Sequence, residues 1–510
     1  MTVSNGTMDL DALIIGAGFS GIYLLHKLRD ELKLNVKIFE AENSIGGTWN
    51  KNRYPGARVD CPIPLYAYWS PEVFESWTWT ELYPGQKEIK AYFDYVDRVW
   101  DVSKDSFLNS RVNDASFDDS LRKWTVRTTD GKVVTVKYLL VAEPYHSAHW
   151  PEDIELDVKG KRIAVIGTGS TGVQIFQEWA KFAEEATLFQ RTPNLCLPMR
   201  QKKLSAEEQT NDKSDYPDYL AECATTFSGL EYQPFPKNTF DGTEEEIEAY
   251  WENLYDLGGF RFWQKKLPGL YHQPRGESGS VQLLGSQDAP FGAARAAASI
   301  RCKEPSLEQD FYEQFNKPNV HIVDTNRHPV VELTPTGIAT ADGKVHQVDV
   351  IAVATDFDAV TGGLLQLGLK DVNGVGLEER WKDGMSTYLG MAISGFPNMF
   401  LSYSLQAPTA FANGQTLIEF QGDWIASCIR KMETESIRSI TATPEAESGW
   451  SDEVNTVANM TLLPLSKSWY MGSSIPGKPV QSLIYVGGLP TYRQRCAKVL
   501  EGDFCGFKKA

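Results

Sequence analysis

No C-x-x-C pair occurs in the 510 residues, and the seven cysteines (Cys61, Cys196, Cys223, Cys302, Cys428, Cys496 and Cys505) are odd in number and widely scattered. That pattern argues against a zinc ribbon and a disulfide framework and fits a reducing compartment. Positive charge is scarce: 50 Lys and Arg face 67 Asp and Glu, for a net charge of −17. The chain thus lacks the basic footprint that a nucleic-acid partner would require. Long apolar runs are missing as well. Stretches such as Val350 to Thr355 fall far short of the roughly 20 residues of a membrane helix. The opening MTVSNGTMDLDALIIGAG has no basic start and no cleavage site, so no leader is expected and the cytoplasm is the expected location. Asn5-Gly6-Thr7 and Asn459-Met460-Thr461 match a glycosylation triplet that chance produces often, and they carry no weight.

What the chain does have is length and a 42% apolar content, enough to bury a large core in two or more lobes. Residues 11 to 40 read strand, tight turn, helix, strand: ALIIGAGFSG, IYLLHKLRDEL, VKIFE. The same grammar returns at 161 to 190 with KRIAVIGTGSTG, VQIFQEWAKFA and ATLFQ. Each is a βαβ unit that feeds a parallel sheet through a right-handed crossover. Between about 199 and 295 the pattern turns to polar, aromatic-rich helices, one opened by a capping box at Thr243-Glu244-Glu245-Glu246. This reads as a helical insertion. Short strands resume from about 318 to 356, and no solenoid repeat is present.

Gly16-x-Gly18-x-x-Gly21 follows a strand and opens a helix, with Glu40 at the end of the next strand. The first glycine permits the turn, the second lets backbone N–H groups approach a diphosphate, and the third allows close helix packing. Glu40 can accept from ribose hydroxyls. Gly167-x-Gly169-x-x-Gly172 repeats the device, but its second strand ends in Gln190-Arg191-Thr192. A cation there suits a ribose 2′-phosphate, so FAD is expected in the first site and NADP in the second. Two such sites in one chain imply hydride flow from nicotinamide to flavin. Taken singly, each residue also has an ordinary structural explanation, such as a turn glycine or a surface cation.

The segment GGTWNKNRYPGARVDCP (46 to 62) resembles the GGTW…NRYPGA…D stretch of the class B flavoprotein monooxygenases, Baeyer–Villiger branch. HSAHWP, FQRTPN, RCKEP, QAPTAFANG, QGDW, SWYMGSSIPGKP and YVGG resemble further family segments in the same order. The resemblance covers nearly the whole chain. It implies an α/β fold of two Rossmann-like dinucleotide-binding domains with a helical insertion. The FAD-type domain would span 1 to 145 and 358 to 510, and the NADP-type domain 150 to 357. It further implies that Thr48, Trp49 and Asp60 lie beside the flavin and that His146 and Trp150 lie in the linker. Arg191, Thr192, Lys303 and Trp469 would hold NADP.

The chain also departs from that family. The position of the family's catalytic arginine is Glu304. Two unit charges about 4 Å apart interact by about 4 kcal/mol at an effective dielectric near 20, so this reversal opposes a negatively charged oxygenating species by about three decades of rate. Three glycine-bearing turns read Ala142-Glu143-Pro144, Ala354-Thr355-Asp356 and Ser404-Leu405. The family's Trp-Tyr-Trp is Trp49-Asn50-Lys51, and about twenty residues before HSAHWP are missing. A side chain where backbone must approach a ligand narrows the site. The expectation is an FAD- and NADPH-dependent monooxygenase acting on a bulky carbonyl or heteroatom-bearing small molecule, of the kind found in secondary metabolism. The alternatives are a repurposed scaffold catalysing a non-oxidative isomerisation or cyclisation, with Glu304, Asp60 or Asp356 as acid or base, and a noncatalytic relative.

Overall fold

The computed structural model describes residues 7–142, 150–151, 156–231, 243–261, 305–355, 361–461, 463–465, 468–472 and 479–510. Strand β1 (Met8–Ile15) alternates in burial at its start and is wholly buried over its last four residues, where cover arrives on both faces. Helix α1 (Phe19–Leu25) is buried at every position and runs on, without a break, as a π-helical segment to Glu31. Strand β2 (Val36–Phe39) then pairs parallel with β1, Ala12 opposite Val36.

β1 and β2 lie in an eight-stranded sheet in the order Leu369–Lys370, Val112–Asp118, Lys123–Thr128, Val133–Val141, β1, β2, Ser106–Phe107. Met399–Leu401 pairs parallel with the end of Val133–Val141, so this sheet takes strands from both ends of the chain. One face is covered by α1, backed in turn by α3 (Gly414–Thr434). The two helices approach closely because a Cβ on Gly422 would lie 2.6 Å from the Tyr23 ring. The other face carries Leu13, Trp124, Val126, Leu139 and Ile393.

The second unit consists of β3 (Arg162–Ile166), α2 (Ser170–Trp179) and β4 (Glu185–Gln190). Its sheet is wholly parallel, in the order Val320–Asp324, β4, β3, Val350–Val353. Ile163, Val165, Phe176, Trp179 and Leu188 form its core. An antiparallel trio, Val330–Thr334, Gly337–Thr340 and Val345–Gln347, is inserted before its last strand. The helix Glu244–Leu257 opens with the capping box read from sequence: Thr243 Oγ1 accepts from the Glu246 N–H at 3.2 Å, and Glu246 accepts from the Thr243 N–H at 3.1 Å. Among the described residues no helix is long and apolar enough to cross a membrane.

Candidate functional site

The first cradle is built around Gly16, whose φ of +99° turns the chain from β1 into α1 while its N–H bonds the Phe39 carbonyl at 2.9 Å. Gly21 has no room for a side chain: a Cβ there would sit 1.9 Å from the Gly16 carbonyl oxygen. Gly18 differs. Its Cβ would meet only the Cα of Gly47, at 3.6 Å, and no side chain caps the helix it opens. The first turn of α1 is therefore bordered by bare backbone, as a diphosphate requires.

Glu40 is buried at the end of β2, and both of its oxygens are engaged: Ala17 N–H donates to one and Glu42 N–H to the other, each at 2.8 Å. Burial raises its pKa, and the two N–H bonds work against the rise. The carboxyl group is thus fixed in place by the backbone, with lone pairs left to accept further hydrogen bonds. Beside it lies a small cavity of about 40 Å³ lined by Lys51, Ser110, Arg111 and Gln366. Lys51 pairs with Glu42 at 2.9 Å, and Arg111 reaches the same oxygen at 3.3 Å.

Gly46 and Gly47, both at positive φ, carry the chain over the cradle into the short helix Thr48–Lys51. Thr48 is exposed; Trp49 is buried, and its indole N–H donates to Tyr66 at 2.9 Å. Asp60 keeps part of its surface accessible although protein atoms crowd around it, which describes a group lining a cleft. Its pKa is raised by desolvation. Among the described residues no cation pairs with it. Its charge is felt by Cys61 and Tyr66, so these side chains border one space.

The second cradle repeats the construction. Gly167 has a φ of +110°, and a Cβ on Gly172 would lie 2.2 Å from the Gly167 carbonyl oxygen. A Cβ on Gly169 would meet nothing within 4 Å, and α2 has no side-chain cap. Past β4, Arg191 and Thr192 are exposed. Thr168 Oγ1 donates to the Thr192 carbonyl at 2.8 Å, and Asn326 bonds the Arg191 carbonyl, so the backbone is fixed while the guanidinium makes no ion pair with any described residue. Both cradles therefore fit a dinucleotide diphosphate, and the second offers a cation, unpaired among the described residues, where a 2′-phosphate would lie.

The structure brings Gly16, Gly18, Gly21, Glu40, Thr48 and Trp49 to one cradle, and Gly167, Gly169, Gly172, Arg191 and Thr192 to the other. Trp469 stacks edge-on against Tyr470 with ring centroids 4.3 Å apart, packed on the apolar side of the first lobe. Trp150 lies between Tyr54 and Trp179, at 6.4 and 5.9 Å. Lys303, Glu304, His146, Glu143, Pro144 and Asp356 lie outside the described residues. Sequence reasoning missed Tyr54, Gln174, Glu42 and the Lys51 pairing. Only the NRYPG segment hinted at the first of these.

A profile for an NAD(P)-binding Rossmann-like domain matches residues 14–78. The chain is 39% identical to FAD-binding monooxygenase acrE of Aspergillus aculeatus over 98% of this chain and 89% of that protein. It is 37% identical to cyclopentanone 1,2-monooxygenase of a Comamonas species over 100% of this chain and 98% of that one. Among solved structures, cyclohexanone monooxygenase from Rhodococcus sp. Phi1 bound to NADP+ superposes with a TM-score of 0.90 at 30% identity, covering 99% of each chain.

Proposed function

The chain belongs to the Baeyer–Villiger branch of the flavoprotein monooxygenases, and from that membership we propose that it oxygenates a bulky carbonyl or heteroatom-bearing small molecule, with FAD in the first cradle and NADPH in the second. The observation that carries this reading is the pair of cradles, one ending in a fixed carboxylate, Glu40, and the other in a cation, Arg191, that makes no ion pair among the described residues. When bound, the two cofactors would supply hydride transfer and oxygen activation.

The protein's own part is positional. Gly18 and Gly169 leave backbone N–H groups open to the diphosphates, Glu40 orients a ribose, and Arg191 selects the phosphorylated nicotinamide cofactor. Asp60, its pKa raised by burial, holds a proton more readily than a surface carboxylate and can pass it to a reacting oxygen or nitrogen. With Glu304 at the place of the family's arginine, oxygenation of nitrogen or sulfur is the less demanding version, because it does not rest on stabilising an anion.

A second reading is favoured by Asp60 alone. A desolvated carboxyl lining a cleft, with no described cation beside it, suits proton transfer in a non-oxidative isomerisation or cyclisation. The visible spectrum of the purified protein separates the two. A yellow preparation that oxidises NADPH and consumes oxygen faster with a ketone, amine or sulfide supports the monooxygenase. A colourless preparation that takes up no added FAD overturns it. Glu304→Arg then reports on the anion: ketone oxygenation is expected to rise.

A further inference from the structure

A file of aromatic rings leaves the first cradle along α1. Trp49, buried just past Gly47, packs edge-on against Tyr66 with ring centroids 5.9 Å apart and donates its indole hydrogen to the Tyr66 oxygen at 2.9 Å. Tyr66 meets Phe19, on the first turn of α1, at 5.4 Å, and Phe19 meets Tyr68 at 5.1 Å. Tyr68 meets Trp100 at 4.9 Å, and Trp100 stacks on His26, one residue past α1, at 4.3 Å. No gap in this file exceeds the ordinary centroid spacing of packed aromatic pairs. Electron tunnelling weakens steeply with distance, so a charge crosses a protein most readily in short steps between rings so placed.

Packing accounts for rings in contact, but not for the way the file ends. The Trp100 indole N–H donates to the carboxylate of Glu72, and His26 Nε2 lies 3.5 Å from the same Glu72 oxygen. Glu72 is 51% exposed, so this end reaches water through a charged acceptor although Trp100 itself is buried. The rings also branch from Tyr68 to Tyr92, at 6.2 Å, and on to Trp79 and Trp77, where the Trp77 indole N–H is buried with no hydrogen-bond partner. Loss of one electron makes an indole N–H strongly acidic, so a positive charge that reaches these rings settles where a base can take the proton. Trp100 has such a base and Trp77 has none.

We propose that Trp49, Tyr66, Tyr68 and Trp100 form a one-electron path from the first cradle to Glu72 at the protein surface. The inference rests on the reading of that cradle as the FAD site, and its oxidant is the light-excited isoalloxazine ring. The ring gains one electron and Trp49 loses one. An electron then passes from Trp100, by way of Tyr68 and Tyr66, and restores Trp49. The oxidised Trp100 gives its indole proton to Glu72, which releases it to water. A soluble thiol returns one hydrogen atom to Trp100 and is left as a thiyl radical. The path thus carries an oxidising equivalent away from the cradle to a place where a small reductant can quench it.

The test excites full-length protein loaded with FAD by a blue flash in the absence of thiol and follows the absorption of tryptophan radicals. Flavin content and melting midpoint are measured for every sample. Wild type is expected to give a deprotonated tryptophan radical. Trp100→Phe is expected to keep its FAD and to lower the yield of that radical about tenfold or more, because the charge then has no sink on the path. Glu72→Gln, a change at an exposed side chain that spares every ring, is expected to leave the radical protonated and to shorten its life by a similar factor. A deprotonated radical undiminished in Trp100→Phe overturns the path, and one undiminished in Glu72→Gln overturns its terminus. Flavin-loaded wild type that shows no tryptophan radical also overturns the path. Wild type that takes up no FAD defeats the reading of the cradle instead, and its missing flavin absorbance tells that result apart.

Discussion

Tyr54 donates its phenolic hydrogen to the side-chain carbonyl of Gln174 at 2.9 Å, and the amide of Gln174 donates to the Arg58 carbonyl at 3.2 Å. Gln174 lies on α2, the helix of the second cradle, whereas Tyr54 and Arg58 lie on the loop after the first. One glutamine therefore fixes the loop of one nucleotide unit to the helix of the other. Gly56, between its two partners at φ +79°, lets the backbones meet: a Cβ there would lie 2.6 Å from the Gln174 carbonyl oxygen.

Tyr54→Phe is expected to cost about 1 kcal/mol, a single hydrogen bond. Gly56→Ala, which adds left-handed strain to a backbone clash, is expected to cost roughly 2 to 3 kcal/mol. Thermal unfolding measures both. Equal midpoints for Gly56→Ala and wild type would mean that the loop and α2 do not meet as described.

The glycines of the first cradle should separate by phenotype. Gly21→Ala places a methyl group 1.9 Å from a carbonyl oxygen and is expected to prevent stable folding, read as lost soluble yield and cooperative melting. Gly18→Ala has space inside the protein and is expected to melt within about 0.5 to 1 kcal/mol of wild type while losing FAD, because its methyl group occupies the ligand's approach. A Gly18→Ala protein that retains full flavin would remove the diphosphate from this turn.

Arg191 should act on one cofactor and not the other. A charge-assisted bond to phosphate contributes about 1.5 to 3 kcal/mol, so Arg191→Ala is expected to raise the KM for NADPH roughly ten- to hundredfold and leave that for NADH within about twofold. Steady-state kinetics with the two reductants makes the comparison. Parallel losses would place Arg191 away from the 2′-phosphate.

Much of this site was legible because the two turns impose backbone requirements that few residues can meet. Gly16 and Gly167 must take positive φ, and Gly21 and Gly172 must lack a Cβ, so spacing alone marks both cradles. The acid and the cation after β2 and β4 were legible for the same reason, being one strand away. What stayed hidden depends on contacts distant in sequence. Val112–Asp118 carries Asn113, Asp114 and Ser116 among its apolar residues and becomes a strand by pairing with Lys123–Thr128 and Leu369–Lys370. The reach of Arg111 to Glu42 likewise exists only once remote segments meet.

Glu419 gives the fold a pH dependence. It is buried on α3, accepts the Trp69 N–H at 2.7 Å, and burial pushes its pKa up to about 8, with Asp423 adding to the rise and Lys27 opposing it. An unfolded glutamate titrates near about 4.3, so between those values the folded chain holds a proton that the unfolded chain has released. Stability from this group is complete at acid pH, falls as pH rises toward 8, and is level above it. Glu419→Gln retains the acceptor and removes the titration. Its midpoint is expected to match wild type at pH 5 and exceed it at pH 8, as calorimetry across that range would reveal.

The pairing of Met399–Leu401 with the end of Val133–Val141 also governs how the protein is born. Between these partners the ribosome must make the entire second parallel sheet. At about 5 to 20 residues per second, the edge at Leu139 to Val141 waits some tens of seconds for its neighbour. The nucleotide unit translated first is thus the one completed last, and during that interval its open edge needs shielding from other nascent chains.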